Sequence, residues 1–246
     1  HMQAAEKGQR AQALEQQFRT EMAGATTPEQ QIAVGIKYGG PEAAARTASS
    51  HLDRSEATAQ RAQQFMQTID LKQSGDLLYV IGETDDELGA SEYFTMLSEK
   101  AGEQSIGNTA PRVDPKKNMR AYQALETAIQ KGLVASAISV GRGGLAAALA
   151  KTAIGGKLGI MADLSKLHGS AKQSDAVLFS ESQGRILVSI RHEAHRAFAP
   201  LFRGVPLTKI GEVTKKESLE MKLGETYLKL SLESLATAYR KPFKNW

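Results

Sequence analysis

The sequence predicts an α+β protein, a mixed β-sheet covered by helices, with an N-terminal helical appendage. Strand-like apolar runs begin only at Asp76. Beyond that residue, strands and helices mix without the strict alternation of a regular doubly wound fold. The first third is rich in Ala and Gln and poor in large apolar side chains, which is helical composition with little core material. We therefore expect a helical segment over residues 3–66 and a compact domain over 67–246.

The composition excludes several classes of protein. Of the 246 residues, 41% are apolar and 24% are charged, so disorder throughout is excluded. No run approaches the ~18 consecutive apolar residues of a membrane span, and no signal peptide is evident, so we expect a cytoplasmic protein without membrane contact. The absence of cysteine excludes disulfides, thiolate metal sites and a cysteine nucleophile. A net charge of +4, evenly spread, is too small to indicate nucleic-acid binding.

Three helices are predicted in the N-terminal segment. The first runs from Ala4 to Met22. The second begins at a capping box formed by Thr27 and Gln30, and Gly39-Gly40 ends it. A third is predicted from Pro41 towards Phe65. Helices so poor in large apolar residues pack more easily on a neighbour than on one another, so we interpret the segment as an arm.

The compact domain is predicted from short apolar runs and helix signals in chain order. Strands are expected at Asp76–Gly82, Leu133–Val140, Ile160–Leu164, Ala176–Phe179, Ile186–Ile190, Leu207–Val213 and Thr226–Leu230. A helix is expected from Asp114 to Gly132, and its apolar face is formed by Met119, Tyr122, Leu125 and Ile129. A second helix is expected at Leu145–Ile154, where Gly155-Gly156 ends it. Two further helices are expected at His192–Phe202 and after Ser231.

Two glycine-containing segments are candidate anion sites. In the segment Leu88–Tyr93, small residues precede a helix start where Ser91 and free backbone N–H groups could face an anion, although Ser91 as a helix cap is the commoner arrangement. Arg142-Gly143-Gly144 forms a turn between a strand and a helix, which lets a phosphate approach the backbone. This turn matches neither the P-loop nor the dinucleotide fingerprint, so tight helix packing explains it equally well.

A third candidate is the polar segment between Leu178 and Arg185. Glu181 can bind a metal or a hydroxyl, and Ser182 and Gln183 can bind polar substrate atoms. Arg185 can hold a phosphate or carboxylate with two hydrogen bonds. The alternative is a polar hairpin or crossover with a Glu181–Arg185 ion pair. His192 and His195 form the one close histidine pair, but without a third ligand they are interpreted as solvated surface side chains.

Taken as a series, these segments resemble a known enzyme family. The order runs from Gly75–Thr84 and Asp86–Tyr93 through Val140–Ala150 and Leu178–Val188 to Gly211–Thr214. It is similar to the C-terminal part of the phosphoribosylformylglycinamidine synthases, members of the aminoimidazole-ribonucleotide-synthetase-like superfamily. The resemblance covers about residues 67–246 and leaves residues 3–66 unmatched.

The resemblance implies a role in purine biosynthesis, as part of an amidine-forming, ATP-dependent carbon–nitrogen ligase. In the complete enzyme, ATP with Mg²⁺ activates an amide oxygen, and ammonia from a separate glutaminase displaces the phosphate. It implies the catalytic half of the synthase and that glutaminase as partners, with a homodimer as a further assembly. In the family's catalytic half, the stretch equivalent to residues 181–183 touches substrate. Together with the residue patterns above, this predicts that substrate or phosphate is bound by Glu181, Ser182, Gln183, Arg185, Arg142, Gly143, Gly144 and Ser91.

The sequence departs from the family at the glycine turn. Many relatives carry His-Asp-x-Ser-Asp before Gly-Gly-Leu, where this chain has Ile138 to Arg142. Two metal carboxylates and an imidazole are thereby absent, so we predict no catalytic residue, no metal ligand and no tightly bound cofactor in this chain. We expect a C-terminal piece that is inactive without the catalytic half. The alternatives are a degenerate domain acting as a binding or assembly module and, least favoured, a free-standing kinase-like enzyme.

Overall fold

The chain divides into two compact units, His1–Gln64 and Phe65–Trp246. The computed structural model describes residues 13–14, 16–27, 29–31, 33–34, 37–38, 68–102, 107 and 109–243. In the first unit, residues 16–24 are helical, and so are the described residues between 29 and 38. The predicted third helix, from Pro41 towards Phe65, lies outside the described residues.

The first unit contains the predicted capping box. The Gln30 backbone N–H donates to Thr27 Oγ1 at 3.3 Å, and the Thr27 N–H donates to Gln30 Oε1 at 3.1 Å. A second contact joins the two helical stretches, because Glu21 accepts hydrogen bonds from Lys37 at 2.6 Å and from the Tyr38 hydroxyl at 2.8 Å. The capping-box prediction is therefore confirmed.

The second unit is built on a seven-stranded mixed sheet. The strands are β1 Leu77–Ile81, β2 Ser136–Ser139, β3 Gly159–Asp163, β4 Ile186–Ile190, β5 Leu207–Thr214, β6 Ser218–Leu223 and β7 Thr226–Ser231. Their order across the sheet is β2-β4-β1-β5-β3-β6-β7. The β3–β6 pair is parallel and the other pairs are antiparallel.

Helices pack on both faces of this sheet. They are α1 Glu92–Ala101, α2 Pro115–Gln130, α3 Gly144–Gly156, α4 Ser174–Phe179, α5 His195–Phe198 between the 3-10 turns His192–Ala194 and Ala199–Phe202, and α6 Leu232–Arg240. Apolar residues of α3, α4 and α6 form one core with one sheet face, and those of α2 and the turns around α5 form a second core on the other. The predicted mixed sheet covered by helices is confirmed. Within the described residues, no helix is long and apolar enough to span a membrane.

Two strands differ from prediction. Ala176–Phe179 belongs to helix α4, because a run of four apolar residues does not by itself distinguish a strand from a buried helical turn. Strand β6 was not predicted, although Leu219, Met221 and Leu223 alternate with polar residues and are buried. The alternation over Ser218–Leu223 is the period-2 signal of a half-buried strand.

Two helix details also differ from prediction. In α2 the buried side chains are Ala121, Leu125 and Ala128, whereas Met119 and Tyr122 are exposed. Helix α3 continues through the glycine pair that was predicted to end it. A Cβ atom on Gly156 would lie 2.4 Å from the Leu71 carbonyl oxygen, so close packing explains this glycine.

Asp76, at the start of β1, is a buried acidic residue. It is 2% exposed, and its Oδ2 has no hydrogen-bond partner among the described residues. Burial raises the pKa of this carboxyl, against a smaller opposing effect of Arg191. The folded protein therefore holds the Asp76 proton more tightly than the unfolded chain, and stability is lost as the pH rises through the raised folded pKa.

We expect Asp76→Asn to raise the free energy of unfolding by about 1 kcal/mol at pH 7, because it removes the buried charge. Near pH 3, where the wild-type carboxyl is protonated, the two proteins should be equally stable. Urea unfolding at both pH values measures the difference. A less stable variant at pH 7 would show instead that the carboxylate is held by Arg191.

Candidate functional site

Four chain segments meet at one end of the sheet. Because β1 and β4 are antiparallel, the pair Ile81 and Ile186 places the exit of β1 beside the entry of β4. The start of β5 lies there too, since the Gly82 N–H donates to the Pro206 carbonyl oxygen at 2.9 Å. The exit of β2 joins them through Val140, whose N–H donates to the Arg185 carbonyl oxygen at 2.9 Å. The glycine turn and the polar segment 180–185 are therefore neighbours.

A cavity of about 240 Å³ opens at this end of the sheet. It is lined by Gly82, Glu83, Asp85, Glu87, Arg112, Val113, Asp114, Lys117, Asn118, Ala121, Ser182, Gln183, Gly184, Val205 and Pro206. Two of the predicted site residues, Ser182 and Gln183, are among them. Its size suits a small polar ligand or part of a larger one.

The cavity carries more acidic than basic side chains. Glu83 pairs with Lys117, and Glu87 Oε1 accepts a hydrogen bond from the Arg112 N–H at 2.9 Å. Asp85 Oδ1 accepts from both the N–H and the hydroxyl of Ser170, each at 3.0 Å. These carboxylates favour ligand groups that donate hydrogen bonds, such as hydroxyl and amide N–H groups, over a bare phosphate.

Arg185 holds two of these segments together from inside the protein. It is 1% exposed, and its guanidinium donates to the Ser182 carbonyl oxygen at 3.1 Å, to Thr84 Oγ1 at 3.1 Å and to the Ser180 carbonyl oxygen. Burial lowers the pKa of Arg185 to about 10, partly offset by nearby carboxylates, so the group stays charged at neutral pH. Three of its N–H groups already donate within the protein, so phosphate binding by Arg185 stays a prediction that requires these contacts to break. The alternative Glu181–Arg185 ion pair is not formed.

Glu181 lies where the sequence predicts an anion. Its Oε1 accepts hydrogen bonds from the Gly143 N–H and from the Glu92 N–H in the first turn of α1, both at 2.9 Å. The neighbouring Gly144 N–H donates to the Gly141 carbonyl oxygen at 2.9 Å. A carboxylate of the chain itself therefore occupies the glycine turn. Phosphate binding by Gly143 and Gly144 stays a prediction, and it requires displacement of Glu181.

Ser91 and Arg142 complete the surroundings of this carboxylate. Ser91 is buried and caps α1, since its hydroxyl accepts from the Phe94 N–H at 3.3 Å and donates to the Leu88 carbonyl oxygen at 2.6 Å. Arg142 is exposed and forms an ion pair with Glu92. Both side chains thus contact α1. Ser91 adopts the capping arrangement, and phosphate binding by Ser91 and Arg142 stays a prediction.

The remaining candidates lie away from the cavity. His195 is exposed, but its Nδ1 lies 2.6 Å from the hydroxyl oxygen of the buried Tyr79, so it is not a purely solvated side chain. Among the described residues, no group of three or more His, Asp or Glu side chains could hold a metal ion. The cavity carboxylates are therefore not grouped closely enough to hold a Mg²⁺ ion directly.

Sequence reasoning missed most of the cavity. Glu83, Asp85 and Glu87 follow a buried strand, and Lys117 and Asn118 lie in the first turn of α2. The charged run directly after β1 was a usable signal, because polar residues at strand ends are common ligand-binding positions. Its partner segment could not be identified without the strand order.

The two hydrogen bonds of Glu181 give a direct prediction. Glu181→Ala leaves the Gly143 and Glu92 N–H groups without their acceptor, so we expect the free energy of unfolding to fall by about 2 kcal/mol. Glu181→Gln keeps an oxygen acceptor without the charge, so it should lower the free energy of unfolding by about half as much. Urea unfolding measures both, with Glu99→Ala on the exposed surface of α1 as control. A Glu181→Ala protein as stable as the control would contradict the contact.

Comparison with known proteins places the chain among similar sequences and folds. Residues 73–224 match the model of the family described as AIR synthase related protein, C-terminal domain. The chain is 32% identical over 171 residues to phosphoribosylformylglycinamidine synthase subunit PurL of Methanocaldococcus jannaschii, a match that covers 69% of this chain and 22% of that protein. The chain therefore spans about a fifth of that relative's length.

Solved structures share the fold. The PurL protein of Thermotoga maritima complexed with FGAR superposes with a TM-score of 0.60 at 20% identity, over 70% of this chain and 29% of that one. The same protein complexed with ATP gives 0.54 at 18% identity, over 70% and 27% of the two chains. The PurLQS structure from the same organism gives 0.55 at 17% identity, over 70% and 28%.

Proposed function

The chain belongs to the AIR synthase related family through that family's C-terminal domain, and on this premise we propose that it is the C-terminal part of an ATP-dependent phosphoribosylformylglycinamidine synthase of purine biosynthesis. The observation that carries the proposal is the family match over residues 73–224, which includes Glu181-Ser182-Gln183. Glu181 accepts a hydrogen bond from the Gly143 N–H of the glycine turn, while Ser182 and Gln183 line the cavity.

In such a synthase the amide oxygen of formylglycinamide ribonucleotide attacks the γ-phosphorus of ATP and ADP leaves, which gives an iminophosphate. Ammonia then adds to the same carbon, phosphate leaves, and the amidine forms. We propose that this chain contributes binding and orientation rather than bond making. The Gln183 side chain is exposed at the cavity and can exchange hydrogen bonds with polar substrate atoms. Mg²⁺ belongs with the nucleotide in the complete enzyme, and no step here is assigned to it.

The proposed partners supply the functions that this chain lacks. They are the catalytic half of the synthase and a separate glutaminase, which supplies ammonia because this chain has no cysteine nucleophile. A second copy of the chain is a further partner. We also propose a cytoplasmic location, residues 67–246 as the family domain and residues 3–66 as an appendage to it.

We expect the isolated chain to hydrolyse no ATP and to convert no formylglycinamide ribonucleotide, even with ammonia supplied. Phosphoryl transfer needs a complete set of groups around the phosphate, and the glycine turn of this chain is occupied by Glu181. Phosphate release and amidine formation are measured against heat-inactivated protein. Turnover above that control would contradict the proposal.

Complementation tests the contribution of the cavity. The chain is mixed with a PurL-type synthase that lacks the corresponding region, and amidine formation is measured with ATP and ammonia. We expect activity to be restored, and Gln183→Ala to weaken apparent substrate affinity. Gln123→Ala, on the exposed surface of α2 and outside the cavity, is the matched control.

One observation supports a second candidate function, a binding or assembly module. The Gly143 N–H is already occupied by Glu181, and Arg142 forms an ion pair with Glu92, so neither is free for a nucleotide. Under this alternative the chain binds the truncated synthase without restoring its activity. Binding with activity supports the synthase role, and binding alone supports the module.

A further inference from the structure

Strand β7 forms one edge of the described sheet. It is the last strand of the sheet, and no described strand pairs with it on its outer side. Every residue of the strand except Leu228 is exposed, including the large apolar side chains of Tyr227 and Leu230. The strand lies just beyond the family match, which ends at residue 224.

The hydrogen-bonding pattern between β6 and β7 shows which backbone groups of β7 point outward, away from the sheet. Leu223 and Thr226 close a two-residue turn between β6 and β7, and Lys222 pairs with Tyr227. The Lys222 carbonyl oxygen accepts from the Leu164 N–H at 2.8 Å and so faces β3, away from β7. The Lys222–Tyr227 pair is therefore of the non-hydrogen-bonded type. By the alternation of an antiparallel ladder, the N–H and C=O groups of Tyr227 and Lys229 face outward.

The edge also lacks the usual protection against strand pairing. β7 contains no proline, and its pairing with β6 is free of bulges. Its single charge is neutralised within the chain, because Lys229 Nζ lies 3.0 Å from Glu220 Oε1. The opposite edge strand, β2, differs, since its Ala137 N–H donates to the Thr68 carbonyl oxygen at 3.1 Å.

From this edge we propose that β7 pairs antiparallel with β7 of a second copy of this chain, about a two-fold axis through Leu228. In this register Tyr227 lies opposite the second copy's Lys229, and Thr226 lies opposite its Leu230. Both outward-facing residues then meet outward-facing partners, so hydrogen-bonded pairs flank a central Leu228–Leu228 contact.

The neighbouring registers are less favourable. A two-fold axis through Lys229 places two lysines directly opposite each other, which destabilises a strand pair. An axis through Tyr227 pairs only three residues of each strand and sets Leu230 against the turn at Gly224. The edge is therefore self-complementary in one register, and this self-complementarity is the argument for an identical chain as its partner. The interface does not depend on the proposed synthase role, and a catalytically silent chain would still dimerise.

Sedimentation velocity of the full chain tests the proposal first. We expect a species of twice the chain mass at tens of micromolar. Lys229→Pro removes an outward N–H without breaking the β6 ladder and should give a monomer. Lys229→Ala keeps that N–H and should remain dimeric, while circular dichroism and thermal unfolding check that both variants fold. A wild-type monomer at high concentration, or a dimeric, folded Lys229→Pro protein, would overturn the proposal.

Disulfide trapping gives a second readout that does not depend on the proline variant. Because the chain has no cysteine, a single introduced thiol reports only its own symmetric contact. Directly opposed residues of a non-hydrogen-bonded pair lie about 4.5 Å apart between Cα atoms, which is within disulfide range. Leu228→Cys should therefore cross-link under mild oxidation, and Leu230→Cys should not. Equal cross-linking of the two variants would exclude this register.

Discussion

Arg185→Met is expected to lower the free energy of unfolding by about 3–5 kcal/mol, because three buried acceptors lose hydrogen bonds to a charged group, which contribute ~1.5–3 kcal/mol each and are not fully additive. Methionine fills a similar volume but donates no hydrogen bond. The Ser180 and Ser182 carbonyl oxygens and Thr84 Oγ1 would each lose their guanidinium donor inside the protein. The exit of β1 and the segment before β4 would then no longer be held together.

Urea unfolding of Arg185→Met measures this loss, and Arg142→Ala is the matched control. Arg142 is also an arginine of this site, but it is exposed and its ion pair with Glu92 should contribute less than about 1 kcal/mol. The free energy of unfolding of Arg185→Lys should lie between those of Arg185→Met and Arg142→Ala. A lysine keeps the charge but cannot donate to three acceptors in the geometry of a guanidinium group. Equal stability of Arg185→Met and Arg142→Ala would show that the buried contacts of Arg185 contribute nothing.

Gly144→Ala is expected to destabilise the protein by about 2–5 kcal/mol, through two separate effects. Gly144 has a φ of +67°, a left-handed conformation that costs a residue with a Cβ atom energy. The added Cβ would also lie 2.6 Å from the Leu178 carbonyl oxygen and 2.7 Å from Phe179 Cα. Backbone atoms cannot move aside cheaply, so the turn and the segment before Glu181 would have to separate.

Gly141→Ala is the matched control for this prediction, because it lies in the same turn. A Cβ atom on Gly141 would meet nothing within 4 Å, and the residue has no positive φ. We expect this variant to stay within about 0.5 kcal/mol of the wild type. Thermal and urea unfolding measure the loss of stability in each of the two alanine variants. If both were neutral, the close approach of the turn to Leu178 would be refuted.

Much of the secondary structure could be predicted because its signals are local. β1 is a compact apolar run between glycines, and α2 begins at an Asp-Pro cap whose carboxylate accepts from the Lys116 and Lys117 N–H groups. Signals of this kind depend on a few neighbouring residues and survive in a single sequence. The misassigned α4 lacks such a signal, since its short apolar run fits either a strand or a helix.

The candidate site could be predicted only in part. Glu181 and Gly143 were both identified as polar or anion-binding positions, but their direct contact joins residues 38 apart in the chain. From the sequence, Arg185 was a candidate for holding an anion, whereas in the structure its guanidinium donates to backbone carbonyl oxygens. Residue type specifies which hydrogen bonds a side chain can make, and burial decides which partner it meets.

The sequence by itself determined the family motifs, most strand-forming runs, the caps and the mixed α+β class, because these depend on side-chain pattern over short distances. Only the tertiary structure decided that β1 and β4 are neighbours, that a cavity lies at their shared end, and that β7 forms an open edge among the described strands. The physical reason is that strand order and register arise from burial of both sheet faces at once, which no local segment encodes.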